Sequence, residues 1–277
     1  MKALVTGGVG FIGTNLVKRL LEDGYEVVSF DNYSTGFSSN EQSGCDYLNH
    51  NITINFDYMS DVDVIFHLAA LPRIKPSFEN PTESIDVNVN GTANVLEYAR
   101  RYGIPVIYAG SSSFWGGVYN NPYTFSKWQG EELCKMYEQI YGLNVTICRF
   151  YNVYGDYMSD EGEYRTALSI FLDQYKKGEP LSITGDGEQR RDFTHVDDIV
   201  DAMIRIVKLN KWGNVYELGR GKNYSINEVA DMFGTKKVYI DEIPGEMRET
   251  LCRSELARKK LKWEPKINLK DWIEEKL

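Results

Sequence analysis

With 277 residues, the chain has room for one large α/β unit or two lobes. Hydrophobic residues at 42% and charged residues at 26% exclude a disordered, collagenous or disulfide-scaffold chain. The formal net charge of −9 argues against broad electrostatic binding to nucleic acid or an anionic membrane, though a local basic pocket stays open. The cysteines (Cys45, Cys134, Cys148, Cys252) form no CxxC pair and the three histidines are scattered, so a metal site lacks ligands. No leader pattern and no apolar run near ~20 residues appear, so a cytoplasmic protein without membrane partners is expected.

The N-terminal half alternates short apolar runs with helical spacing. Strands are expected at Lys2–Thr6, Glu26–Phe30, Asp63–Leu68, Pro105–Ala109 and Asn144–Phe150. Helices are expected at Phe11–Asp23, Thr82–Tyr102 and Tyr123–Tyr141, and a flexible loop at Ser34–Gly44. Such alternation implies right-handed βαβ units and a doubly wound parallel sheet. Beyond Asn152 the pattern loosens. Helices fit Ala167–Lys177, Val196–Lys208, Ile226–Phe233 and Ser254–Leu261, and strands fit Leu181–Thr184, Val215–Leu218 and Val238–Ile240. The reading is an α/β chain with a Rossmann-type domain over 1–152, a segment near 192–218 returning to its sheet, and a smaller α/β substrate lobe over 153–277.

Gly7, Gly10 and Gly13 stand in TGGVGFIG, between the first strand and the first helix. Glycines there permit a tight turn, close approach of the backbone to a pyrophosphate, and packing of helix on sheet. The N–H groups of Phe11 and Ile12 open the helix, where the dipole favours phosphate. Asp31 follows Gly13 by 18 residues, near the ~20 expected of an acid that binds the adenosine ribose. The stretch from Asn32 to Gly36 holds no Arg or Lys, so a 2′-phosphate would find no counter-charge and NAD is favoured over NADP. Tyr123 and Lys127, in YTFSK, share one helix face, where an ammonium can lower a phenol's pKa and make it a general acid–base. A serine cluster, Ser111 to Ser113, precedes them at a strand end and can orient a sugar hydroxyl.

TGGVGFIG, HLAA at His67–Ala70, NVNGT at Asn88–Thr92, SSSFWG, YTFSK, RFYNVYG at Arg149–Gly155 and GDGEQRRDFTHVDD at Gly185–Asp198 occur in one order. Together they resemble the extended short-chain dehydrogenase/reductases that act on nucleotide sugars, most of all the UDP-glucose 4-epimerases. The resemblance runs from Met1 to Pro265. It implies a homodimer through the helices near Thr82–Tyr102 and Tyr123–Tyr141, with Val95, Leu96, Tyr98, Leu133, Met136 and Tyr137 as apolar cover. It implies that Ser111, five places before Gly116, is the site serine, with Ser112 as fallback. Leu68, Ala69, Ala70 and Asn88 would meet the cofactor, with Asn51 and Ile52 standing where an aspartate usually meets adenine. Asn152 and Arg191 would hold the substrate diphosphate. His67, His195 and Asp198 would be structural.

Departures are informative. Only 12 residues separate Ser111 from Tyr123, so a loop over the site is trimmed. Ile243 stands where a basic residue often precedes Pro-Gly, which shifts the expected diphosphate role to Arg248. Ser112 and Ser113 stand where related dehydratases carry an Asp-Glu pair and decarboxylases a glutamate, so oxidation followed by reduction is the expected chemistry. Thr250, where a bulky aromatic would exclude N-acetyl groups, leaves room for a 2-acetamido sugar. The expectation is NAD-dependent epimerisation at C4 of a UDP-hexose or UDP-N-acetylhexosamine. The alternatives are a net nucleotide-sugar dehydrogenase or reductase, an epimerase at another carbon, and a non-catalytic nucleotide-binding module.

Overall fold

A computed structural model describes residues 1–54, 61–159, 162, 164–242 and 245–277. Its centre is a seven-stranded parallel sheet. In chain order the first six strands are β1 (Lys2–Thr6), β2 (Glu26–Asp31), β3 (Cys45–Asn49), β4 (Val64–His67), β5 (Val106–Ser111) and β6 (Val145–Phe150). The seventh is Val215–Leu218, which returns beside β6 with Val215 opposite Ile147. The spatial order is Val215–Leu218, β6, β5, β4, β1, β2, β3. All residues of β4 and β6 are buried, as a parallel sheet covered on both faces requires. One face packs on the helices Phe11–Glu22 and Val196–Lys208, in a core that also takes in Trp263. The other packs on Gly91–Tyr102 and Pro122–Tyr141. A separate core of Leu168, Phe171, Ile183, Val229 and Trp272 holds the C-terminal elements.

The sequence left several elements unseen. β3 is a half-exposed edge strand, CDYLN, without the apolar run of its neighbours. Ile74–Glu79 is a helix despite Pro76, and Leu269–Lys276 closes the chain. The helix expected over Thr82–Tyr102 runs as Pro81–Ile85, then a wider π turn over Asp86–Asn90, then Gly91–Tyr102. Asn88 lies in that wide turn and is turned inward, where it binds the backbone of Leu71. π turns are frequent at functional sites. The Ser34–Gly44 loop is tied down: Asn40 Nδ2 donates to Val9 O at 3.0 Å, and Tyr33 OH to Glu41 at 2.7 Å.

β2 and β4 leave β1 on opposite sides, so the strand order reverses there and a crevice opens beyond the carboxyl ends of β1 and β4. Among the described residues no helix is long and apolar enough to cross a membrane, and no group of three or more His, Cys, Asp or Glu could hold a metal.

Candidate active site

A cavity of about 800 Å³ fills that crevice and runs on toward the C-terminal elements. Gly7, Gly10, Phe11, Ile12 and Gly13 line its floor. Gly7 has φ 78°, and a Cβ on it would meet the backbone of Ala69 at 2.8 Å. Gly10 caps the helix Phe11–Glu22 without any side-chain hydrogen bond, so the first N–H groups face the cavity uncapped by protein side chains. A Cβ on Gly10 would meet only Gly7 O, at 3.3 Å, so the space above it is open to a ligand. Asp31, Asn32, Asn51, Ile52, Leu68, Ala69 and Ala70 line the same region. Asp31 accepts the N–H groups of Val9 at 3.1 Å and Tyr33 at 2.8 Å, which fixes its carboxylate at the end of β2. Burial pushes its pKa up against those bonds. A pyrophosphate fits the uncapped helix end and the bare Gly10, and a ribose fits the carboxylate beyond.

Two expectations at this end need different accounts. Asn88 does not line the cavity. It is 1% exposed, and its amide is engaged by Leu71 N at 2.8 Å, Leu71 O at 3.1 Å and Ser126 Oγ at 3.0 Å. Its amide thereby fixes the backbone of Leu71, which does line the cavity. His67 is structural, as read: Nδ1 lies 2.7 Å from Thr6 Oγ1 and Nε2 3.0 Å from Thr92 Oγ1. Burial pulls its pKa down to about 3 and keeps it neutral.

The reacting groups meet where β5 ends. The helix Pro122–Tyr141 begins with Asn121 accepting the Thr124 N–H and with Pro122 in its first turn. That start places Tyr123 OH 3.5 Å from Ser111 Oγ, to which it donates. Ser111 Oγ lies 2.9 Å from Ser113 Oγ and accepts the Ser113 N–H. The tyrosine is thus paired with Ser111, not with the more buried Ser112. One turn on, Lys127 Nζ lies 4.4 Å from the centre of the Tyr108 ring. Burial lowers Lys127 to about 8, opposed by Glu131 and Cys134. Tyr123 differs from expectation: burial raises its pKa, while Ser111 and the nearby Arg73 pull it back, and Lys127 is not among the groups acting on it.

Across the cavity, Asn152 (φ 28°) donates to Thr250 Oγ1 at 2.8 Å and to Asp192 O at 3.3 Å. Thr250 is 6% exposed, and its hydroxyl also accepts the Asp192 N–H at 3.1 Å. Thr250 therefore positions Asn152 as well as bordering the space. Arg191 lines the cavity and lies 3.4 Å from Glu246. Arg248 corrects the sequence reading. It is outside the cavity lining, 65% exposed, and forms a two-pronged pair with Asp186 at 2.8 Å on each arm. Ile243, invoked in that reading, lies outside the described residues. Sequence reasoning missed Arg73, which lines the cavity beside Tyr123 and Glu246. Only its place two residues beyond HLAA and Leu71 could have drawn notice.

A buried charge network props the trimmed loop. Arg149 binds Glu131 at 2.7 Å and Glu217 at 3.5 Å, and its guanidinium lies 3.6 Å from the centre of the Phe114 ring. Trp115 Nε1 donates to Glu217 at 2.8 Å. Short as it is, the loop is anchored from beneath. His195 caps the helix Val196–Lys208, and Asp198 accepts the N–H groups of Lys266 and Ile267, both structural as read.

Comparison with known proteins gives the same fold. The NAD dependent epimerase/dehydratase family model matches residues 3–219. A putative UDP-glucose 4-epimerase of Methanocaldococcus jannaschii is 36% identical, over 98% of this chain and 95% of that protein. UDP-glucuronic acid decarboxylase 3 of Arabidopsis thaliana is 32% identical, over 99% and 87%. The crystal structure of UDP-glucuronic acid 4-epimerase from Bacillus cereus, in complex with UDP-glucuronic acid and NAD, superposes with a TM-score of 0.89 at 27% identity, over 99% of this chain and 97% of that one. The glycine turn, the fixed Asp31 carboxylate and the Tyr123–Ser111 pair thus sit on a shared scaffold, and the chain belongs to the NAD dependent epimerase/dehydratase family, as an NAD-dependent enzyme of the extended short-chain dehydrogenase/reductases.

Proposed function

We propose that the chain epimerises a nucleotide-diphosphate sugar at C4. The observation that carries this reading is the 3.5 Å Tyr123–Ser111 hydroxyl pair, with Lys127 one helical turn away, in the same cavity as the glycine turn. Gly7 to Gly13 and Asp31 would hold NAD, which when bound supplies the hydride acceptor and donor. Tyr123 takes the proton of the sugar 4-hydroxyl and later returns it. Ser111 orients that hydroxyl. Lys127 would hold the cofactor ribose, and the nearby charge of Arg73 favours the phenolate. Asn152 and Arg191 hold the substrate diphosphate, a task suited to a guanidinium fork. Anchoring through the nucleotide leaves the hexose free to turn over before reduction on its other face. The division at residue 152 into a cofactor unit and a substrate lobe, and a homodimer, belong to the same reading. So does space beside Thr250 for a 2-acetamido group. Elimination or decarboxylation would need an acid beside Ser111, where Ser112 and Ser113 stand.

The test is incubation with UDP-, GDP-, CDP- and dTDP-sugars in the presence of NAD, followed by separation of products. Conversion to the C4 epimer without net NADH supports the reading. Stoichiometric NADH would make the chain a net dehydrogenase, and no turnover with intact nucleotide binding would make it a binding module.

A further inference from the structure

The strand Lys237–Ile240 pairs in parallel with Leu181–Thr184 in a two-stranded sheet, so its other edge carries no strand among the described residues. Lys236 O accepts the Leu181 N–H at 2.8 Å, and Ile240 O accepts the Gly185 N–H at 2.9 Å. Backbone groups alternate sides along a strand. The even-numbered residues therefore turn theirs to Leu181–Thr184, and Lys237, Tyr239 and Asp241 turn theirs outward. Side chains alternate between the two faces. Lys237 Nζ lies 2.6 Å from Asp231 and Tyr239 OH donates to Asn227 at 3.1 Å, so both lie against the helix Ile226–Asp231. Lys236, Val238, Ile240 and Glu242 share the opposite face. Val238, Tyr239 and Ile240 are 44%, 55% and 49% exposed, so the open edge is apolar at its centre. Such an edge is a template for another strand, and charges along it usually blunt it. Here the charges stand only at the ends, Lys236-Lys237 before the apolar run and Asp241-Glu242 after it. Among the described residues, the side chains of Lys236, Asp241 and Glu242 have no hydrogen-bond or ion-pair partner within the chain.

We propose that this edge pairs with the same edge of a second copy of the chain, antiparallel about a two-fold axis at Tyr239. In that arrangement the run KKVYIDE is its own complement. Lys236 falls opposite Glu242 of the partner subunit, and Lys237 falls opposite Asp241 of the partner subunit. The outward backbone groups of Lys237, Tyr239 and Asp241 fall in the hydrogen-bonded pairs, which exchange up to about six N–H to C=O bonds across the axis. Val238 falls opposite Ile240 of the partner subunit in a non-hydrogen-bonded pair, where side chains come closest. A parallel pairing in register would instead set lysines against lysines and acids against acids, which destabilises. The contact is isologous and closes on itself, joining two two-stranded sheets into one of four strands. Seven residues a side bury less than the ~1,200 Å² of a standard interface, so the association is weak, with Kd of about 10–100 μM.

Sedimentation velocity of the full chain, from about 1 to 300 μM at roughly 0.15 M salt, reads the association. The mass should double across that range. Lys236→Glu and Glu242→Lys, each alone, set like charges opposite one another at both ends and should raise the midpoint by about 10-fold. Mixing these two variants sets opposite charges at both ends again and should return the midpoint to that of the unsubstituted chain. Tyr239→Pro removes an outward N–H, leaves the bonds to Leu181–Thr184 in place and should abolish the doubling. Ile140→Glu, on the helix Pro122–Tyr141, should leave this step unchanged, which separates it from a dimer formed through the helices. No rise in mass, an unchanged midpoint in the two charge variants, doubling that survives Tyr239→Pro, or no recovery on mixing would each overturn the proposal.

Discussion

The cofactor cradle makes a paired prediction from two glycines three residues apart. A Cβ on Gly13 would overlap Gly7 O and lie 2.8 Å from the Gly7 carbonyl carbon, so backbone must move. Overpacking of this kind costs roughly 1–3 kcal/mol. At about 2–4 °C per kcal/mol for a chain of this size, Gly13→Ala should lower Tm by roughly 3–10 °C. Gly10 has φ −75° and ψ 169°, which alanine adopts readily, and its Cβ would meet only Gly7 O at 3.3 Å. Gly10→Ala should therefore keep its Tm, or gain slightly from a less flexible unfolded chain. The new methyl would instead stand in the space offered to the pyrophosphate. Losing one charge-assisted hydrogen bond there weakens NAD about 10- to 100-fold. Calorimetric Tm on nucleotide-free protein and NAD titration of each variant read the two effects apart. Wild-type NAD affinity in Gly10→Ala, or equal loss of Tm in both variants, would refute the assignment of Gly10 to the ligand and Gly13 to packing.

Tyr123→Phe should reduce epimerisation by ~100- to 10,000-fold while leaving NAD binding intact, and near-full turnover would remove Tyr123 from the chemistry. Asp31→Ala should weaken NAD and relax discrimination against NADP, measured by comparative titration; wild-type preference for NADP would contradict the role of Asp31. Thr250→Val should loosen Asn152 and raise KM for the sugar nucleotide more than it changes kcat, because the valine cannot accept the Asn152 and Asp192 bonds; an unchanged KM would count against that coupling. His67 is held neutral down to about pH 3, while an unfolded histidine takes a proton near 6.5. Between those values the unfolded state binds the extra proton, so stability falls with falling pH by up to about 1.36 kcal/mol per unit, and a variant such as His67→Gln should show a shallower acid-side loss in denaturant titrations. Val95, Leu96, Tyr98 and Tyr137 are buried in the core, so a dimer through the paired helices would draw on the partly exposed Leu133 and Met136 and the exposed Tyr102, Ile140 and Tyr141, and Ile140→Glu should give a monomeric mass by light scattering if it forms there.

How much of this was legible in the chain depends on the range of the interaction. Strands flanked by helices on both faces are near-continuous apolar runs, so β1, β4, β5 and β6 could be read locally, as could the glycine turn and the YTFSK spacing, which is set by one helical turn. The edge strand β3 could not, because a half-exposed strand lacks that pattern. Contacts between distant segments were out of reach. Asn88 stands in a legible motif, yet it was the fold that brought the backbone of Leu71 to its amide. Arg248 and Arg73 are both arginines near turns. The first pairs with Asp186 at the surface, whereas the second lines the cavity beside a short helix whose Ser77 Oγ accepts the Tyr123 N–H. Sequence determines which groups are available and their local spacing. Which cation faces the cavity depends on side chains meeting across tens of residues, and only tertiary packing decides that.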